Sequence, residues 1–169
     1  MKYSYALLAS LMAVLVLSAG AGAFENEPVD FRGISWGAAY ADYAEELTLV
    51  RTDDDVLVYV RETEKAQPDR YNYQKIAYRF YKDRFSVGII QTFGQDAKKR
   101  LRQRLTSAHG DAVRISRRQE LDAWNGENVQ IVLSCSVTSY CVAEFISRKM
   151  IALEEKETGV PVQVLKKGP

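Results

Sequence analysis

From residue 76 to residue 89 the side chains alternate with a period of two. Ile76, Tyr78 and Phe80 fall on one side, and Ala77, Arg79 and Tyr81 on the other. After a polar break at Lys82, Asp83 and Arg84 the pattern resumes with Phe85, Val87 and Ile89. Successive side chains of an extended strand point to opposite faces. The stretch 71–93 therefore predicts a β-hairpin, turned at Lys82–Asp83 or Asp83–Arg84 and ended by Gly94. A chain committed to such a hairpin must build a sheet, and the rest of the sequence supplies the strands.

Two β-rich runs, 48–51 and 56–61, flank the acidic link Thr52-Asp53-Asp54-Asp55, and residues 62–70 read as a polar loop. A strand is expected at 112–117 and a tight turn at the Asn125-Gly126 pair. Val129, Ile131, Leu133 and Cys135 alternate toward one face; a return strand at 140–147 puts Cys141, Ala143 and Phe145 on the matching face. Residues 149–153 read as a last strand or a kinked continuation. Two stretches have helical spacing instead. In 38–47, Tyr40, Tyr43, Ala44 and Leu47 recur at i, i+3, i+4 and i+7. In 95–109, Ala97, Leu101, Leu105 and Ala108 repeat at helical spacing, with Asp96 near the positive end of the helix dipole and Gly110 just past the other end. Segregated helices and antiparallel hairpins predict an α+β fold: two layers, an antiparallel sheet of hairpins with two helices on one face. Helix then strands occurs twice in order, although no sequence repeat is visible.

The first 23 residues have another purpose. Lys2 gives a positive start, an apolar block runs over 6–17, and small residues end at Ala21-Gly22-Ala23. That is the pattern of a secretory signal peptide cleaved after Ala23. Its apolar block is shorter than the roughly 20 residues a spanning helix needs. The expected mature chain begins at Phe24, and no Cys near the cleavage site offers a lipid attachment point. Residues 24–30 read as a loose N-terminal lead, 31–153 as a single domain and 154–169 as a polar C-terminal tail. The expected location is the periplasm or the medium, with no transmembrane anchor after processing. An uncleaved signal anchor is the alternative.

In an oxidising compartment the two cysteines, Cys135 and Cys141, are expected to be bonded. Equal parity across a hairpin turning near Thr138 places both on one face. They form no C-x-x-C motif, and two Cys with one His are too few for a closed zinc site. No metal site and no cofactor is expected.

Charge is unevenly spread. Residues 24–64 hold 11 acids and 3 bases, whereas residues 65–118 hold 14 bases and 4 acids. Either the two segments neutralise one another within the domain, or the basic one meets an anionic partner. Lys98, Lys99, Arg100, Arg102 and Arg104 load the second predicted helix and form the candidate anionic-partner surface. Nucleic acid is not an expected partner, since the mature chain has no net charge and no binding motif. Asp53-Asp54-Asp55 lacks the alternate spacing and Gly of a calcium loop and reads as an exposed turn. His109, the single histidine, is expected to serve the last carbonyls of its helix rather than catalysis. The tyrosines on predicted strands read first as core and cross-strand partners.

The segment Phe31-Arg32-Gly33-Ile34-Ser35-Trp36-Gly37, directly before a helical stretch, resembles the F-x-G-I-x-W-G opening of a group of small exported bacterial proteins. These share a Tyr/Phe-rich hairpin, like Tyr78-Arg79-Phe80-Tyr81-Lys82-Asp83-Arg84-Phe85, and a second helix ending in Gly. The resemblance implies the exported compartment and the fold class. It carries no activity and no site residue to this chain.

The sequence therefore reads first as a non-enzymatic interaction module of the bacterial cell envelope, meeting a protein or an anionic envelope component. Two alternatives stand beside it. One is a glycan or small-ligand binder using sheet aromatics, and the other an uncharacterised periplasmic hydrolase. No catalytic residue can be named for the latter, because no G-x-S-x-G, H-E-x-x-H, P-loop or dinucleotide motif occurs.

Overall fold

Ten strands and three helices follow one another in a computed structural model that describes residues 24–65, 73–116 and 120–162. The expected leader, 1–23, and residues 163–169 of the expected tail lie outside the described residues. The first two strands, β1 (Asp30–Phe31) and β2 (Ile34–Ser35), form a two-stranded ribbon. Next come β3 (Leu47–Asp53), β4 (Val56–Arg61), the short α1 (Glu62–Lys65), β5 (Tyr73–Tyr81), β6 (Arg84–Phe93) and α2 (Gln95–His109). The chain ends with β7 (Val113–Ser116), β8 (Leu121–Asn125), β9 (Val129–Cys135), β10 (Tyr140–Ser147) and α3 (Arg148–Thr158). The fold is α+β and mostly sheet.

β3 to β10 make one antiparallel sheet in the order β3-β4-β5-β6-β10-β9-β8-β7. Each half is a four-stranded meander followed by a helix, and the halves join where β6 pairs with β10. The period-two stretch forms β5 and β6, turned at Lys82–Asp83. Both residues have positive φ, 45° and 60°, as the tightest hairpin turns require. The cysteine hairpin forms in the expected register, with Cys135 opposite Cys141 and bonded to it.

One face of the sheet, here the inner face, carries the core. Tyr78, Gly88, Phe145, Ile131 and Trp124 lie side by side across β5, β6, β10, β9 and β8. Leu101 and Leu105 of α2 belong to the same buried cluster, as do Phe31 and Ile34 of the N-terminal ribbon. Phe31 takes the place of a side chain on Gly88: a Cβ there would fall closer than 3.0 Å to the Phe31 ring. Burying this apolar surface, at about 25 cal/mol per Å², is what holds the layers together.

Four local expectations need correction. Residues 38–47 are not a full helix. A single 3₁₀ turn spans Tyr40–Tyr43, and Leu47 already opens β3. The hairpin turn claims this backbone: Gly37 N–H donates to Phe85 O, Tyr40 N–H to Asp83 O, and Phe85 N–H to Ala38 O. Tyr40 stacks on Tyr59 at 4.5 Å, so this turn shares the inner face with α2. Second, the lead 24–30 is tied down. The Glu27 carboxylate accepts the backbone N–H groups of Glu127, Asn128 and Val129, and Phe24 stacks on His109. Third, residues 149–153 are helical, not a strand, and the helix runs through 154–158 of the expected tail. Met150 and Glu154, one turn apart, are the buried residues of α3, and Glu154 is drawn in by Arg79 at 2.6 Å. Fourth, the polar loop at 62–70 opens with the helical turn α1; residues 66–70 lie outside the described residues.

Candidate functional site on the unevenly covered sheet

The basic residues of α2 divide into two sets. Lys98 reaches Glu120 at 2.5 Å, and Arg102 reaches Asp122 at 2.8 Å. Arg114 of β7 bonds the other oxygen of Asp122, whose side chain is 5% exposed. The hydrogen bond from Lys98 holds the Glu120 carboxyl below the ordinary range. Lys99 and Arg104 are exposed, and Arg100 is half-buried with its Nε lacking a hydrogen-bond partner among the described residues. The flank of α2 carries two shallow troughs of about 380 and 430 Å³ that share Arg102 and Thr106. The sheet thus brings Glu120 and Asp122 to the helix, absorbing part of the charge that the sequence concentrates there.

His109 is buried, but its ring serves the lead segment: Nδ1–H donates to Asn26 O at 3.1 Å. Tyr78 donates to both oxygens of Glu64 at 2.9 Å, and Arg32 bonds the same carboxylate at 2.6 Å. Burial and the Glu64 charge push the Tyr78 phenol well above its ordinary range. Asp53, Asp54 and Asp55 are exposed at the β3–β4 turn, as expected. Among the described residues, no group of three His, Cys, Asp or Glu side chains could hold a metal ion.

Among the described residues, the outer face of the sheet is covered unevenly. α3 crosses one end of it. There Arg79 donates to Ser86 Oγ at 3.0 Å and to Glu154 at 2.6 Å, Tyr81 donates to Glu157 at 2.7 Å, and Lys82 pairs with Glu157 at 2.8 Å. Beyond α3 the register sets out three further rows. The first is Ala77, Ile89, Glu144, Val132, Ala123 and Val113; the second is Lys75, Gln91, Val142, Ser134 and Leu121. The third contains Phe93 and Tyr140. On β9 the contrast between faces is plain: Ile131 and Leu133 are buried, whereas Gln130, Val132 and Ser134 are half-buried. Phe93 is 54% exposed and Val113 39%. The first row crosses six strands; Ala77, Glu144 and Ala123 in it are buried, whereas Ile89 and Val132 in it, and Val142 and Leu121 in the second row, are half-buried.

That acid, Glu144, is 5% exposed and makes no hydrogen bond among the described residues, with Oε2 sealed from solvent. Burial pushes its carboxyl up to about 8, against the opposing pull of Arg79. The signal was present in the sequence of β10. Val142 and Ile146 make its second face as apolar as the first, which marks a strand sheltered on both sides, and Glu144 is the break in that pattern.

No helix among the described residues is long and apolar enough to cross a membrane. Protein-family models, curated proteins and solved structures were each compared with the chain, and none matches it.

Proposed function

We propose that this chain is an exported, non-enzymatic interaction module of a bacterial cell envelope, and that it holds a protein partner on the uncovered rows of its outer sheet face. The observation that carries the reading is the unequal cover of the sheet. Among the described residues the inner face is sealed by α2 and the N-terminal ribbon, whereas α3 is the one helix on the outer face and lies at one end of it. Rows of half-buried Ile, Val, Leu and Tyr side chains, with Phe93 exposed among them, form the kind of patch that marks an interaction site. The disulfide suits an oxidising compartment, and the signal-peptide pattern supplies the route there.

The competing contact, the basic side of α2, is weakened because Lys98 and Arg102 are spent on Glu120 and Asp122. The aromatic-platform reading loses Tyr78 and Tyr81, which lie within the core or against α3, and keeps Tyr140, half-buried beside Phe93 on the outer face.

The test compares two double variants in the host. Val132→Asp with Val142→Asp charges the outer face; Lys99→Glu with Arg104→Glu reverses the basic helix. Affinity recovery from the envelope fraction, at low and high salt, should lose its specific partner only with the first pair. Loss with the second pair, restored by neither salt condition, overturns the assignment to the sheet face.

A further inference from the structure

Residues 24–28, directly after the expected cleavage site, are each fastened to the domain. Phe24 lies flat on the His109 ring, with 5.5 Å between centroids. Glu25 N–H donates to His109 O at 3.0 Å, and Asn26 Nδ2–H to Ala108 O at 3.2 Å. The Glu27 carboxylate takes the N–H groups of the β8–β9 turn, and Pro28 O accepts from Trp36 Nε1 at 2.9 Å. Gly126 keeps the space open for Glu27, since a Cβ there would fall 2.5 Å from Glu27 Oε1. Terminal segments fray unless something ties them down, and this one is tied at every residue.

The same contacts bring the start of the lead to the carbonyl end of α2. With Glu25 N–H bonded to His109 O, standard backbone dimensions put the Phe24 nitrogen within about 7 Å of that oxygen. This end of a helix carries partial negative charge and favours a cation. Around it, beside the stacked His109, the charged groups are Glu25 and Glu27 on the lead, Asp111 just past α2, Glu127 in the β8–β9 turn, and Arg148, which bonds Gly126 O. Acids predominate among them.

While Ala23 is attached, the Phe24 nitrogen is a neutral amide. Hydrolysis of the Ala23–Phe24 bond by a leader peptidase consumes one water. Its oxygen completes the Ala23 carboxylate, and its two protons convert the Phe24 N–H to an ammonium. We infer that leader removal and docking of the lead are coupled: the α-ammonium released on Phe24 settles at the carbonyl end of α2 and fastens residues 24–28 to the domain. This rests on the reading of 1–23 as a cleaved leader. The precursor's lead has only the contacts described above; the mature lead has those contacts and a charge. A cation favoured by docking has a raised midpoint in the docked state. The gain is therefore full below the ordinary α-amino midpoint, is lost as pH rises through the raised one, and weakens with salt.

The test compares ¹⁵N-labelled protein purified from the host envelope with the same protein acetylated at its α-amino group, which restores the neutral amide. Mass analysis of the unmodified protein should give a chain that starts at Phe24. In low salt its α-amino group, followed through the Glu25 amide shift, should titrate about half a unit above the ordinary range of roughly 7.7–8.0. At pH 6.5 the Glu25 and Val129 amides should exchange about threefold more slowly than in the acetylated protein, which is the same half unit expressed as an equilibrium ratio. A midpoint in the ordinary range, or equal exchange in the two proteins, overturns the coupling and leaves the leader reading standing. A host protein that retains residues 1–23 removes the leader reading, and the inference with it.

Discussion

Replacing Glu144 by Gln should stabilise the protein at neutral pH and do little in acid. The carboxyl titrates near 8 in the folded chain, and its ordinary value is 4.5. A folded-state value raised in this way means that the folded protein retains a proton that the unfolded chain has released. The resulting stability is fully present below about pH 4.5 and is lost as the pH rises toward 8. Each unit across that window costs about 1.4 kcal/mol, so by pH 7 the loss reaches about 3 kcal/mol. Glutamine has the same shape and cannot ionise, so its contribution is flat with pH. Urea unfolding of parent and variant at pH 4.5, 6 and 7.5 reads the difference directly, and the variant-minus-parent gap cancels titrations common to both. The gap should open steadily with pH. A gap of the same size at pH 4.5 and pH 7.5 would refute the reasoning, because it would mean that Glu144 is ionised or proton-bound alike in both states.

Other perturbations address the frame around the site. Gly88→Ala forces a Cβ into the Phe31 ring and should cost about 3 kcal/mol in urea unfolding; adding Phe31→Ala should recover part of that loss in a double-mutant cycle rather than add to it. Replacing Cys135 and Cys141 with Ala opens a small loop and should lower stability by about 2 kcal/mol, with the parent showing the same loss under reductant. Asp122→Asn leaves Arg102 and Arg114 sharing a neutral group, and should cost about 2 kcal/mol while strengthening retention on an anionic resin.

Much of this frame was legible because it is written in local periodicity. The hairpin 73–81 and 84–93 and its turn follow from spacing, but a bulge at Ser86 breaks the expected alternation, putting Phe85 on the inner face and Val87 and Ile89 on the outer. The helix 95–109 and the Cys135–Cys141 register follow in the same way. What stayed hidden depends on partners distant in the chain. Residues 38–47 have helical spacing, but the hairpin turn takes their backbone groups, a competition that spacing cannot reveal. Arg148 to Thr158 is a helix whose buried side includes Glu154, held by Arg79 from 75 residues earlier, a contact that spacing cannot reveal. The lead at 24–30 is fixed by Glu27 against a turn 100 residues away and by Phe24 and Asn26 against the end of α2. The basic helix was visible, but not the acids that meet it on β8. Glu144 could have been singled out as the acid in a strand apolar on both faces; that no partner reaches it is a fact of three-dimensional packing.

The account stands or falls on where the protein is touched in the envelope. A photo-crosslinking amino acid placed in the host at Val142, Tyr140 or Leu121, and for comparison at Thr48 or Lys99, maps that contact directly. The account predicts one discrete adduct from the first three positions and none from the other two. Adducts from Thr48 or Lys99, with the outer-face positions silent, would contradict it.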